Sequence, residues 1–176
     1  MEEHELIRLC LRHDPKAQRM LYDSYASAML GVCYRYTKNV TDAQDVLQEG
    51  FVKVFTKLHQ YQGTGSIAGW IKTIMVHSAI SYLRKQKLLT IDVSEALNNA
   101  IAEQHQLPDV PLATKQVAEA IRALPTGYQT IFNLYAVEGY SHAEIAQMLG
   151  ISEGTSRSQY ARARAILQQQ LLAAIK

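Results

Sequence analysis

Five side chains near the C-terminal end, Thr155, Arg157, Ser158, Arg162 and Arg164, have types and spacing that suit one chemistry. Hydroxyls near a helix N-terminus favour a phosphate, because they add donors to the positive end of the helix dipole. Guanidinium groups add charge-assisted contacts to phosphate, or a bidentate grip on the edge of guanine. That chemistry is the binding of duplex DNA, with no bond made or broken, and it is weighed against arginines that simply solvate a surface helix. The elements that must position these groups lie in residues 141–164, SHAEIAQMLGISEGTSRSQYARAR. Ser141 and Glu144 form a capping box, and Ile145, Ala146 and Leu149 give one apolar face. Gly150 suits the left-handed position past a helix end, and Ser152 is a preferred cap for a second helix starting at Glu153. Ser156, Tyr160, Ala163 and Leu167 follow at spacings of four, three and four, so they share the inward face. The pattern is a helix-turn-helix whose second helix carries the five polar groups outward. No acid occurs from residue 154 to residue 176.

A second set precedes it. The segment GWIKTIMVHSAISYLRKQK places Lys72, Arg84, Lys85 and Lys87 on a helix from about Ile67 to Lys87. Trp70, Ile71, Ile74, Met75, Ser78, Ile80 and Leu83 supply packing. Tyr61 and Trp70 flank the glycine-bearing loop of residues 61–66. Aromatic rings beside cations are what an unstacked single strand needs, since bases stack on rings. The same residues read equally as a core tryptophan and solvated lysines, and residue chemistry leaves both readings open. A third set, Asp42, Asp45, Gln48 and Glu49, clusters on one side of a helix expected to start at Thr41, with Gln44 completing a capping box. Acids in first turns complement the helix dipole without any partner, and they also make a docking surface for a basic one.

No catalytic constellation emerges. The six histidines are scattered, none sits in an HExxH pattern, and there is no phosphate-binding glycine loop or GxSxG elbow. An enzyme is not expected, and neither is a metal or other cofactor. Cys10 and Cys33 form no CxxC and read as buried free thiols of a reducing compartment. The acidic start lacks an apolar h-region, and no apolar run approaches the ~20 residues that span a bilayer. The expectation is a soluble cytoplasmic protein with no membrane insertion.

Helical periodicity dominates the 176 residues, and no segment alternates with period two. Asp14 and Pro15 make a helix start, after which Ala17, Met20, Leu21, Tyr25, Ala28, Met29 and Val32 line one side. The next helix turns Val46, Leu47, Phe51, Val54, Phe55 and Leu58 inward. Net charge is only +2, but its distribution is uneven: residues 61–90 carry four cations and no acid, and residues 91–114 carry four acids and no Lys or Arg. The pattern weakens from about Leu89 to Leu112, with Pro108 and Pro111 among the acids and a transient helix around residues 94–102. Helices resume at Val117–Leu124 and at Tyr128–Val137. The expected architecture is all-α. A domain over residues 1–88 and another over residues 113–176 are joined by a flexible acidic linker over residues 89–112.

Taken together, the halves resemble the extracytoplasmic-function class of bacterial RNA polymerase sigma factors. The resemblance rests on DAQDVLQEGFVKVFTKL, GWIKTIMVHSAISYLRK and the stretch from LPTGYQTIF through ARARAIL, in that order across an acidic linker. It implies that Asp45, Gln48 and Glu49 bind the β′ clamp helices of core RNA polymerase, and that the β flap is a further polymerase contact. It implies that Tyr61, Trp70, Lys72, His77, Arg84, Lys85 and Lys87 open and hold the minus-ten element as single strand, with the loop pocketing a flipped base. Arg157, Ser158, Arg162 and Arg164 would face the minus-thirty-five element, with Thr155 at phosphates. The linker would thread near the RNA path. An anti-sigma partner is common in the family, and no residue here identifies one. The chain departs from the usual pattern at His77 and Ser81, where Asn and Asp are frequent, at Ser156, where a β-branched apolar residue is usual, and at Ala161. The alternative reading is a stand-alone helix-turn-helix regulator that binds duplex DNA without polymerase.

Overall fold

The computed structural model describes residues 1–86, 89 and 112–175, and every regular element among them is helical. Contacts divide the chain into two compact units, Met1–Lys85 and Gln86–Lys176. Most of the expected linker, its transient helix and Lys87 lie outside the described residues.

The first unit is built from α1 (Glu3–Leu11), α2 (Pro15–Tyr34), α3 (Val40–Lys57) and α4 (Ile67–Lys85). Helix α1 carries Cys10, whose surroundings already show a helical apolar pattern in the sequence. It packs through Ile7 and Cys10 and turns sharply into α2 at His13, which adopts φ 60°. Helix α2 starts as expected, with Asp14 Oδ1 accepting the amides of Lys16 and Ala17 at 2.9 Å. Its buried stripe is Ala17, Leu21, Met29, Val32 and Cys33. Met20, expected inside, stands off the edge of that stripe and is exposed, as is Ala28.

Helix α3 corrects the expected cap. Asn39, in extended conformation, accepts the Asp42 amide at 2.8 Å, and its Nδ2 donates to the Asp42 carboxylate at 2.8 Å. The helix therefore begins at Val40, and Thr41 lies inside its first turn. A cap of two reciprocal bonds to one residue wins over the Thr41–Gln44 box. The inward face of α3 includes Val46, Leu47, Phe51 and Val54, while Phe55 is half-buried. Opposite it, α4 buries Ile67, Ile71, Met75, Val76, Ala79, Ile80 and Leu83. The two helices meet where Gly50 has no side chain: a Cβ there would stand 2.3 Å from Met75 Sδ. Cys10 and Cys33 are free and buried, and burial pushes the Cys33 thiol up to about 12.

The second unit comprises α5 (Leu112–Arg122), α6 (Thr126–Phe132), a π-helical turn (Asn133–Val137), α7 (His142–Leu149) and α8 (Glu153–Ile175). Leu124, Tyr128, Ala163 and Leu167 form a core cluster, with Ala120, Ile121, Phe132 and Ile166 packed against it. The expected helix at Tyr128 starts two residues earlier and changes character after Phe132. The Glu138 amide bonds Asn133 O at 2.9 Å, five residues back, and Gly139 at φ 81° turns the chain toward α7.

Two outcomes test these contacts. Asn39→Ala lowers stability by about 1 kcal/mol in denaturant unfolding, whereas Thr41→Ala stays within about 0.5 kcal/mol. Equal losses would restore the cap to Thr41. Gly50→Val destabilises by about 1–3 kcal/mol through overpacking. Combined with Met75→Ala, the loss is less than the sum of the two singles, and strict additivity would mean that the helices do not meet there.

Candidate nucleic-acid and partner interfaces

The acidic side of α3 divides into groups with different duties. Asp42 belongs to the cap and also accepts a hydrogen bond from the Tyr82 hydroxyl of α4. Burial, that bond, and the charges of Asp42 and Asp45 push the Tyr82 phenol up to about 12. Asp45 and Gln48 are exposed, and Gln48 Nε2 donates to Tyr22 Oη at 3.1 Å. Glu49 is half-buried between two ammonium groups, Lys53 Nζ at 3.4 Å and Lys85 Nζ at 3.5 Å. Asp45, Gln48 and Glu49 therefore share one surface, and one of them reaches across to a lysine assigned to the basic set.

Around the glycine loop, Tyr61 and Trp70 pack with ring centroids 5.6 Å apart. Tyr61 Oη donates to Gly65 O at 2.9 Å, closing the loop over itself. Gly63 and Gly65 take φ 71° and 78°, conformations that other residues rarely adopt. Trp70 is half-buried, so one part packs and another faces solvent. Along α4, Lys72 is half-buried, and His77, Arg84 and Lys85 are exposed. Two cations that the sequence reading leaves out stand beside His77. Partial desolvation, then the charges of Lys57 and Lys53, hold its imidazole below the ordinary range. Lys53 Nζ also donates to the buried Ser78 hydroxyl at 3.3 Å. The missed signal is the spacing of Lys53 and Lys57, four residues apart and so on one face of α3.

In the second unit the capping box forms: Ser141 Oγ accepts the Glu144 amide at 3.2 Å, and Glu144 accepts the Ser141 amide at 2.7 Å. Gly150 closes α7 at φ 67°, and Ser152 Oγ accepts the Thr155 amide at 3.0 Å at the start of α8. Ser156, Ala163 and Leu167 are buried and Tyr160 is half-buried, the expected inward face. Gln159 joins them at 2 % exposure, a polar residue that apolar spacing does not flag. Ser158 stands opposite this stripe. Arg157 and Arg164, seven residues apart, flank it on one side, and Thr155 and Arg162 on the other.

These groups are not equally available. Arg157 is ion-paired with Glu153 on its own helix, Thr155 Oγ1 lies 2.8 Å from Ser152 Oγ, and Ser158 Oγ donates to Thr155 O at 3.1 Å. Arg162 and Arg164 are exposed. Ser156, where the resemblance would put a β-branched residue, is tied to His142 Nδ1 at 2.9 Å, which explains a hydroxyl in the packed face. The His142 ring lies against Tyr135 with centroids 4.2 Å apart and planes 10° apart. Among the described residues, no group of three or more His, Cys, Asp and Glu could hold a metal ion, and no helix is long and apolar enough to cross a membrane.

Two family descriptions match successive parts of the chain. The Sigma-70 region 2 family matches residues 21–88, and the Sigma-70, region 4 family matches residues 114–167. The RNA polymerase sigma-H factor of Pseudomonas aeruginosa is 26% identical over 181 residues, covering 97% of this chain and 94% of that protein. The ECF RNA polymerase sigma factor SigW of Bacillus subtilis is 26% identical over 176 residues, covering 94% of each. Among solved structures, the sigma factor RpoE in complex with the anti-sigma factor NepR from Bartonella quintana aligns with a TM-score of 0.54 at 21% identity. That alignment covers 87% of this chain and 95% of RpoE. Nothing in the fold or in these relatives favours a stand-alone regulator. With both sigma-70 regions present and relatives of this type matching along nearly its whole length, the chain belongs to the sigma-70 family as a promoter-recognising RNA polymerase sigma factor of the extracytoplasmic-function type.

Proposed function

We propose that the chain docks on core RNA polymerase through Asp45, Gln48 and Glu49, and that both units then hold one promoter. The β′ clamp helices are the partner of the α3 face, and the β flap is a further contact on the polymerase. Tyr61, Trp70, Lys72, His77, Arg84, Lys85 and Lys87 hold the minus-ten element as single strand, and Lys53 and Lys57 add charge beside His77. Arg157, Ser158, Arg162 and Arg164 face the minus-thirty-five element, with Thr155 at phosphates. Residues 1–88 and 113–176 are the two working domains, and residues 89–112 join them. The observation that carries this reading is a single chain with an acidic face beside an aromatic and basic helix in one unit, and a capped helix-turn-helix in the other.

The protein works in the cytoplasm and has no chemistry of its own, since the polymerase makes the RNA. An anti-sigma factor is a further partner. Two solved relatives support this, RpoE with NepR and CnrH with the cytosolic domain of CnrY.

Two variants test the assignment. Asp45→Lys reverses an exposed charge on the docking face, and it abolishes co-purification with core polymerase while the circular dichroism spectrum stays unchanged. Normal co-purification would remove α3 from the interface. Arg162→Ala, assayed in holoenzyme on a duplex promoter, weakens binding and lowers the salt slope by about 0.9, one phosphate contact. An unchanged affinity and slope would place Arg162 off the DNA.

A further inference from the structure

His142 is the first residue of α7 and lies at the mouth of the helix-turn-helix, yet none of the DNA-facing roles above includes it. Its ring is held on three sides. Tyr135 of the π-helical turn lies flat against it, Tyr160 of α8 stands 5.9 Å away, and Nδ1 meets the fully buried Ser156 hydroxyl at 2.9 Å. The fourth side opens on a groove of about 810 Å³ that Tyr140, Glu144, Glu153 and Arg157 also line. Among the described residues, the charged groups lining the groove come from α7 and α8. Arg157 and Glu153 come from α8 and are paired with each other, and Glu144 comes from α7 itself, its carboxylate engaged in the capping box. Tyr140 and Tyr135 contribute only phenols.

We propose that His142 is a phosphate-facing residue of the helix-turn-helix that couples duplex binding to pH, taking up a proton when a DNA phosphate enters the groove beside Arg157. This rests on α8 being the face that meets duplex DNA.

The tie to Ser156 survives protonation. In the neutral ring Nδ1 either accepts from or donates to the hydroxyl, and in the charged ring it donates, while Ser156 Oγ can serve in either role. The proton comes from solvent and goes to whichever ring nitrogen is bare. Protonation thus changes the charge of the groove and leaves α7 where it is against α8. In the free protein, burial and then Arg157 hold the imidazole below its ordinary range, with Glu153 opposing them. A phosphate in the groove reverses that balance. It attracts the imidazolium directly and draws Arg157 from Glu153, leaving a carboxylate to face the ring. The Tyr135 face adds a favourable cation–π stack.

A ring whose pKa is higher in the complex than in the free protein makes binding tighter as pH falls through the higher value, with no further gain below the lower one. Each unit of that rise is worth up to about tenfold in affinity.

The test uses holoenzyme assembled from core RNA polymerase and the full chain, on a duplex promoter that it selects, at about pH 6 and about pH 8. The gain in affinity on lowering pH is about threefold or more larger for the wild type than for His142→Gln, which keeps a hydrogen-bonding side chain but takes no proton. The salt slope of the wild type steepens by about 0.9 over the same interval, and that of His142→Gln does not. Ser156→Ala weakens binding at both pH values and keeps the pH difference, which separates position from charge. A variant-free measurement stands beside these: the NMR titration of the His142 ring in the full chain moves to higher pH when the duplex is added. Equal pH gains in wild type and His142→Gln, or a ring titration that the duplex leaves in place or lowers, would overturn the inference. Holoenzyme that binds no promoter at either pH would overturn the proposed function, and this inference with it.

Discussion

The close approach of α3 and α4 is the constraint on which the first unit depends. Gly50 gives up its side chain to the Met75 thioether, and the two helices lie near enough for polar groups to reach across. Asp42 meets Tyr82, Lys53 meets Ser78, and Glu49 meets Lys85 along one seam. Apolar burial along α4 supplies the driving force, at about 1.5–3 kcal/mol for each large aliphatic side chain removed from water. The polar seam adds little net energy where it is exposed, but it sets the rotation of α4 about its axis. That rotation decides which residues face outward, and so where the acidic and the basic surfaces lie.

One consequence is that the two surfaces of the first unit share charges. Glu49 faces the proposed polymerase and is neutralised by Lys85, which faces the proposed promoter strand. The second unit shows the same economy, with Arg157 held by Glu153 on the helix that would enter the major groove. Charges satisfied inside the protein bind DNA weakly by themselves, because each contact must first exchange a partner. A net charge of only +2 fits a subunit that shares the holding of DNA with a larger enzyme.

The features legible in the sequence are those set by local chemistry. The Asp14–Pro15 start, the Ser141–Glu144 box, the left-handed Gly150 and the Ser152 cap each follow from a few adjacent residues, and all four form. The misses share a different cause. Asn39 outcompetes Thr41 because its amide both accepts from and donates to Asp42, which spacing alone does not rank. The π-helical turn and the fit of Tyr135 on His142 arise where separate helices meet, so no periodicity announces them. Lys53 and Lys57 look like solvated charges on α3 until α4 brings His77 beside them. Ser156 reads as a defect in an apolar face until His142 supplies its partner.

Transcription reconstituted from core RNA polymerase and this chain, on a pool of genomic fragments, tests the central claim most directly. The account predicts RNA starts at a defined set of promoters that share minus-ten and minus-thirty-five elements and that core enzyme alone does not use. Duplex binding by the chain alone, with no promoter-dependent RNA when core enzyme is added, would contradict it.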